Sequence, residues 1–242
     1  VIANLFNYTL RSWRVTAKPS ENTLADAFEQ KSKQGLSELS WRDEIPKWRE
    51  SEIRKLGAKK TLAELKSLFV QVTQDKFLAG AVHGDLHATN VLARLADGIV
   101  IDFEKVEMGM PIVFDPASLE SGLFIDGFIG DPRPADAVLS SIADMYSAEC
   151  FAKDGEPCHP GDRSAWYFDC VRQIRLQARQ MELASYQYAA VLAFCFIRKA
   201  CNTRDFSNEK GEGLSRETVR AMGFVIGERI LEALASATKG KK

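Results

Sequence analysis

Apolar positions fall into two classes along this chain: one pair of short runs with strand character, and long stretches with helical spacing. The runs are Val91-Leu92-Ala93 and Ile99-Val100-Ile101, with Ala96-Asp97-Gly98 between them. They are β-branched and joined through Asp-Gly, which predicts a β-hairpin. The strongest helical stripe before it spans Thr61 to Phe77, where Leu62, Leu65, Leu68, Phe69 and Val72 share a face. The strongest after it is Ala184 to Cys201, apolar nearly all round, which predicts a buried central helix with Arg198 and Lys199 at its polar end.

Weaker patterns fill the rest. Residues 1–17 alternate aromatic, apolar and basic groups, as in a helix or a crossing segment. Ser20 to Gln34 opens with a capping-type sequence and reads as a helix closed near Gly35. Trp41 to Trp48 is a loop around Pro46, and Glu50 to Leu56 a short helix stopped by Gly57. Helices are predicted over Asp115 to Phe124, Asp136 to Phe151, Ser164 to Leu183 and Leu214 to Ala237. Loops separate them at Asp126 to Pro134, Asp154 to Asp162 and Asn202 to Gly213. Arg172, Arg175 and Arg179 lie on one side of their helix and read as a solvated face. The fold class is therefore α+β, mostly α-helical.

Composition narrows the function classes. The 242 residues, 45% of them hydrophobic, are enough for one substantial core. A net charge of −1 without a long basic run disfavours nucleic acid or an anionic membrane as a main partner. Lys239, Lys241 and Lys242 read as a solvated tail. No apolar stretch approaches the ~18 residues of a membrane span. Five Cys without a Cys-x-x-Cys pair point to thiols in a reducing compartment, so a cytoplasmic location is expected. Cys195 and Cys201 read as small core residues.

The chemistry concentrates in AVHGDLHATNVLARLADGIVIDFE, residues 81–104, which holds His83, Asp85, Asn90 and Asp102. A hairpin at its centre brings the residues before the first strand next to those after the second, so Asp85, Asn90 and Asp102 should converge. Two carboxylates and an amide suit a hard divalent cation such as magnesium, which prefers to share its shell with phosphate. His-x-Asp-x-x-x-x-Asn, then strand, turn, strand and Asp-Phe, resembles the catalytic and metal-binding loops of the protein-kinase-like superfamily. HGDLHATNVL followed by IDFE is closest to its aminoglycoside phosphotransferase and choline kinase branch.

The resemblance covers residues 60–125 by motif and implies a kinase-like C-terminal lobe whose small hairpin carries the catalytic and metal loops. Residue by residue, it makes Asp85 the base that deprotonates the acceptor hydroxyl. Asn90 and Asp102 would hold Mg2+ against the phosphates of ATP or GTP, and His83 would buttress the loop. Phe114-Asp115-Pro116-Ala117-Ser118-Leu119-Glu120 resembles the family's Asp-x-Ala-x-Leu-Glu segment, which gives Asp115 a supporting tie to the catalytic loop. His87, Glu104 and Lys105 read as loop or rim residues.

The implied layout is post-hinge helices over 1–60, a catalytic core over 61–125 and a helical subdomain over 126–242. Before His83 there is no Gly-x-Gly-x-x-Gly and no Lys in a Val-Ala-x-Lys-like strand, so the family's N-terminal lobe is expected to be absent from this chain. A partner domain or that lobe, a nucleotide and a small hydroxyl compound are the expected partners. Acceptor choice would fall to Phe124 to Pro134 and Asp154 to Trp166. The expected activity is transfer of the γ-phosphoryl group to a small-molecule hydroxyl.

Three other readings remain: an inactive nucleotide-binding or interaction module, a structural remnant, and a metallohydrolase. The last rests on the alternation of His83, Asp85 and His87 along an extended backbone, with only His159 to add as a further histidine.

Overall fold

The computed structural model describes residues 1–34, 40–152, 164–203 and 211–239, and it is α+β and mostly helical. The chain enters through α1 (Ile2–Asn4), a π-turn (Leu5–Thr9) and α2 (Arg11–Val15), which seat Leu5 and Phe6 in the core. Next come β1 (Lys18–Thr23), α3 (Leu24–Gln34), α4 (Lys47–Lys55) and α5 (Leu62–Val72). β2 (Lys76–Val82) leads into the loop that carries the motif, followed by β3 (Val91–Arg94), β4 (Asp97–Val100) and β5 (Glu107–Pro111). The remainder is helical: α6 (Phe114–Gly127), α7 (Ala135–Ile142), α8 (Ala148–Phe151), α9 (Ala165–Ala178), α10 (Gln187–Ala200) and α11 (Arg216–Lys239). No helix among the described residues is long and apolar enough to cross a membrane.

The core is organised around α10, whose residues are almost all buried. It packs on α11, α6 and α5. Phe194 stands at the centre of an aromatic cluster with Phe28, Trp41 and Phe69, at ring separations of 4.5 to 6.1 Å. Edge-to-face contacts of this kind add to the large area that such rings remove from water. α5 is positioned by a capping box, in which Thr61 and Glu64 satisfy each other's backbone N–H groups.

Two sheets flank the helices. β1, β2 and β5 form an antiparallel sheet with β2 in the middle, and β3 pairs β4 as a hairpin. The pairing Val91↔Val100, Leu92↔Ile99, Ala93↔Gly98, Arg94↔Asp97 leaves Leu95-Ala96 as the turn. Asp97-Gly98 therefore lies in β4, not in the turn. Gly98 is needed there for close approach, because a Cβ would stand 3.1 Å from the Leu5 side chain.

Other boundaries also differ from expectation. Ser20 to Thr23 belongs to β1, and α3 starts only at Leu24, after the reciprocal bonds between Thr23 and Asp26. α5 stops at Val72, so Phe77 lies in β2, and α4 begins at Lys47 directly after Pro46. The helix expected over Asp136 to Phe151 is broken by a 3-10 turn at Ala143–Tyr146. There the Met145 carbonyl accepts from Arg175 Nη1 at 2.6 Å, a partner from outside the helix. Arg175 corrects the solvated face as well: it is 2% exposed and paired with buried Glu120, while Arg172 stays exposed. Cys195 and Cys201 are buried as expected. The Asp154 to Asp162 loop, Gly35, His159 and the middle of the Asn202 to Gly213 loop lie outside the described residues.

Candidate functional site

The loop from His83 to Asn90 is fastened at both ends. At its start, the backbone N–H groups of His83 and Gly84 donate to the Asp115 carboxylate at 2.8 and 3.2 Å. Asp115 sits in the first turn of α6 and is fully enclosed. Burial pushes its carboxyl up to about 6, against the two N–H donors, which favour the charged form. Gly84 has φ +80, and the Lys105 carbonyl fills the place where a side chain would project, so only glycine fits.

The His83 ring closes the loop onto the far end of the hairpin. Its Nε2 lies 2.9 Å from the Ile101 carbonyl, an acceptor, so Nε2 carries the proton and Nδ1 is bare. Nδ1 is buried without a hydrogen-bond partner among the described residues. The ring packs 5.6 Å from Phe103.

Asn90 ties the end of the loop. Its N–H donates to the His87 carbonyl, its carbonyl accepts from Ile101 N–H, and its Nδ2 donates to the Asp85 carbonyl, each at 3.0 Å. The side-chain nitrogen is thus committed and Oδ1 is the atom left for another partner. Asp102 follows Ile101 with left-handed angles, φ 61 and ψ 71, and is exposed. No hydrogen bond to its carboxylate occurs among the described residues. The loop and the hairpin end therefore meet at Asn90 and Ile101, with Asp102 next to Ile101 in sequence and Asp85 held to Asn90 through its carbonyl.

That donor set, two carboxylates and one amide oxygen, fits magnesium only if phosphate and water complete the shell. Among the described residues no three His, Cys, Asp or Glu gather as a metal set of their own. His83, Asp85 and His87 in particular do not form one. β2 ends at Val82 and Gly84 turns the backbone, so the alternation that would align the three is lost.

Sequence reasoning passed over the wall of the loop that faces α6. His87 Nδ1 lies 2.9 Å from Thr89 Oγ1, and its Nε2 lies 3.8 Å from Asp85 Oδ1. Burial holds the His87 imidazole below its usual range, with Asp85 opposing and nearby Lys199 reinforcing. The loop can lie this close to α6 because residue 122 is glycine: a Cβ there would stand 2.9 Å from His87 Cβ. The same position lies 4.0 Å from the Lys199 ammonium, which arrives from the last turn of α10. Asp126, further along α6, interacts with both His87 and Lys199 and pairs with Arg216 at 3.3 Å. A lysine at the end of an otherwise apolar helix was the visible signal. Its direction depends on the packing of α10 against α6.

Of the segments expected to choose an acceptor, Phe124 to Pro134 brings Asp126 near His87, and its Gly127 packs against Trp166. Residues 154–163 lie outside the described residues. Comparison with curated proteins and with solved structures gives no match. The model of Ternary complex associated domain 9 matches residues 45–193, a span that includes the whole of the 83–102 motif, Asp115 and Gly122 and ends short of Lys199. That span covers well over half of the sequence, and the chain belongs to the Ternary complex associated domain 9 family.

Proposed function

We propose that the chain is the helical lobe of a kinase-like phosphotransferase that moves the γ-phosphoryl group of ATP or GTP to the hydroxyl of a small molecule. One observation carries the reading: the three-way tie of Asn90 to Asp85, His87 and Ile101, which holds the loop and the hairpin end together. Asp85 positions the acceptor hydroxyl and takes its proton as the new O–P bond forms. The electron pair of the breaking bond leaves on the β-phosphate oxygen. Asn90 Oδ1 and the Asp102 carboxylate would hold magnesium, which when bound neutralises phosphate charge. His83 and Asp115 keep the loop in place and touch no reacting atom. Leu92 and Ile99, a cross-strand pair exposed on the hairpin beside this point, offer an apolar platform for a nucleotide base.

The test is calorimetry with ATP, with and without magnesium, on the chain and on Asp102→Ala. Magnesium-dependent binding that falls by at least about a hundredfold in the variant, with unchanged thermal unfolding, is the expected result. Equal binding by both proteins would sink the reading.

A second reading is an interaction module without turnover, favoured by the family's description as a domain associated with a ternary complex. On that reading nucleotide binding occurs without any acceptor-dependent loss of ATP.

A further inference from the structure

Among the described residues, the Lys199 ammonium has no counterpart within bonding distance. Its side chain is partly buried beside the contact of the 83–90 loop with α6, with the ammonium 4.0 Å from the position a Cβ on Gly122 would take. Among the described residues it has no hydrogen-bond or ion-pair partner, although Asp85 and Asp126 are near enough to act on it electrostatically. Burial lowers the proton affinity of this amine; Cys195 first, then Asp85 and Asp126, only partly offset the effect, and Arg198 adds to it. An ammonium taken out of water is normally paired, because an unpaired buried charge is costly. Here neither carboxylate is within ion-pair distance, and the ammonium lies by Gly122, which also meets His87, itself 3.8 Å from the Asp85 carboxylate.

We propose that Lys199 binds an anionic group of the phosphoryl acceptor, a carboxylate or a phosphate carried a few bonds from the hydroxyl that Asp85 addresses. The inference rests on the phosphotransferase reading for the role of Asp85. It narrows the acceptor to an acidic hydroxyl compound and argues against a polycationic one. A cation brought to Asp85 would meet the positive field of Lys199, and like charges brought together away from bulk water repel. An acid instead satisfies the free ammonium by a charge-assisted hydrogen bond and leaves Asp85 to its own hydroxyl. Asp126 is already engaged by Arg216, which leaves the Lys199 ammonium open to such a ligand.

The experiment titrates the chain with four probes in turn: glycerate, glycerol 3-phosphate, glycerol and choline. The same titrations are made on Lys199→Met, Lys199→Arg and Asp102→Ala, with ATP plus magnesium as a separate arm. At least one of the two acids should bind, weaken by about tenfold to a hundredfold in Lys199→Met and recover in Lys199→Arg. Which acid binds decides between carboxylate and phosphate. Glycerol and choline should not compete, and ATP binding should be unchanged in Lys199→Met. Acid binding that is absent, or equal in the wild type and Lys199→Met, overturns the proposal. So does a Lys199→Met variant that loses ATP in place of the acid, since the lysine then serves the nucleotide. The Asp102→Ala arm separates this inference from the reading it rests on: there acid binding should persist while ATP binding is lost. If ATP fails to bind even the wild type, the phosphotransferase reading falls, and the acid titration still decides what Lys199 holds.

Discussion

Two cationic side chains reach into the interior from neighbouring parts of the helical region, and their surroundings could hardly differ more. Arg175 on α9 donates to both oxygens of Glu120 at 2.7 and 3.1 Å and to the Met145 carbonyl at 2.6 Å. Its guanidinium lies 4.3 Å from the centre of the Phe151 ring, and Tyr188 donates to the same Glu120 carboxylate at 2.5 Å. Lys199 on α10 lies beside Gly122 and has no hydrogen-bond or ion-pair partner for its ammonium among the described residues. The planar fork of an arginine can satisfy several fixed acceptors at once and suits a permanent structural knot, whereas a single ammonium on a flexible stem suits a ligand that comes and goes. The contrast separates what holds this fold together from what, on the proposed reading, it holds out to a ligand.

The sharpest way to break that contrast is to remove each charge in turn. Arg175→Met should destabilise the chain by about 3–5 kcal/mol, because Glu120 is left as a buried, half-satisfied carboxylate. Lys199→Met should change stability by less than about 1 kcal/mol, because no bond is lost. Urea denaturation of both variants measures the difference, and similar losses would place Lys199 among the structural residues.

A second test concerns Asp115, which resembles Glu120 in burial and differs in its donors, two backbone N–H groups in place of an arginine. Its pKa is about 6 in the fold, against 3.8 as the ordinary value. A raised carboxyl favours the folded state while it is protonated, so this contribution is present below about pH 4 and is lost as pH rises through about 6. The loss amounts to roughly 3 kcal/mol at most. Asp115→Asn cannot ionise, so the stability gap between it and the wild type should change across that window and be flat above it. Denaturation midpoints at intervals from pH 3.5 to 7.5 measure this, and parallel curves would show that burial does not govern Asp115.

A smaller loss than that of Arg175→Met is expected where the loop meets α6. Gly122→Ala places a methyl group against His87 and should cost about 1–2 kcal/mol as the loop shifts away from α6. A variant as stable as the wild type by the same denaturation assay would mean that this contact is slack and the loop is held by Asp115 and Asn90 alone.

What could be read from the sequence follows from how local each cause is. The apolar faces of α5 and α10 are written in consecutive turns, so both helices are legible. Asp115 is legible as a tie because a motif links it to the 83–90 loop across 30 or so residues. The three-stranded sheet is not: β1 is a polar edge strand, Lys18-Pro19-Ser20-Glu21-Asn22-Thr23, and β2 shows no alternation to announce itself. Arg175 reads as solvent-facing because Glu120 lies 55 positions away and nothing near either residue reveals the other. Lys199 is obscured in the same way, since the contact it lies beside is made by Gly122 and His87, each unremarkable on its own. The hairpin was visible, yet its turn was placed on Asp97-Gly98, because local turn preference took no account of Leu5 packing against Gly98.

The left-handed backbone at Asp102 has a practical consequence for anyone who replaces that residue. Asparagine and glycine accept such angles readily, whereas alanine meets steric resistance and a β-branched residue meets more. Loss of ligand binding in a valine variant would therefore mix a missing carboxylate with a displaced main chain, and the displacement would travel through Ile101 to His83. Asparagine keeps the shape and removes only the charge. At this position the main chain decides which replacements are informative, and the Asp102→Asn protein is the control against which every other variant there should be read.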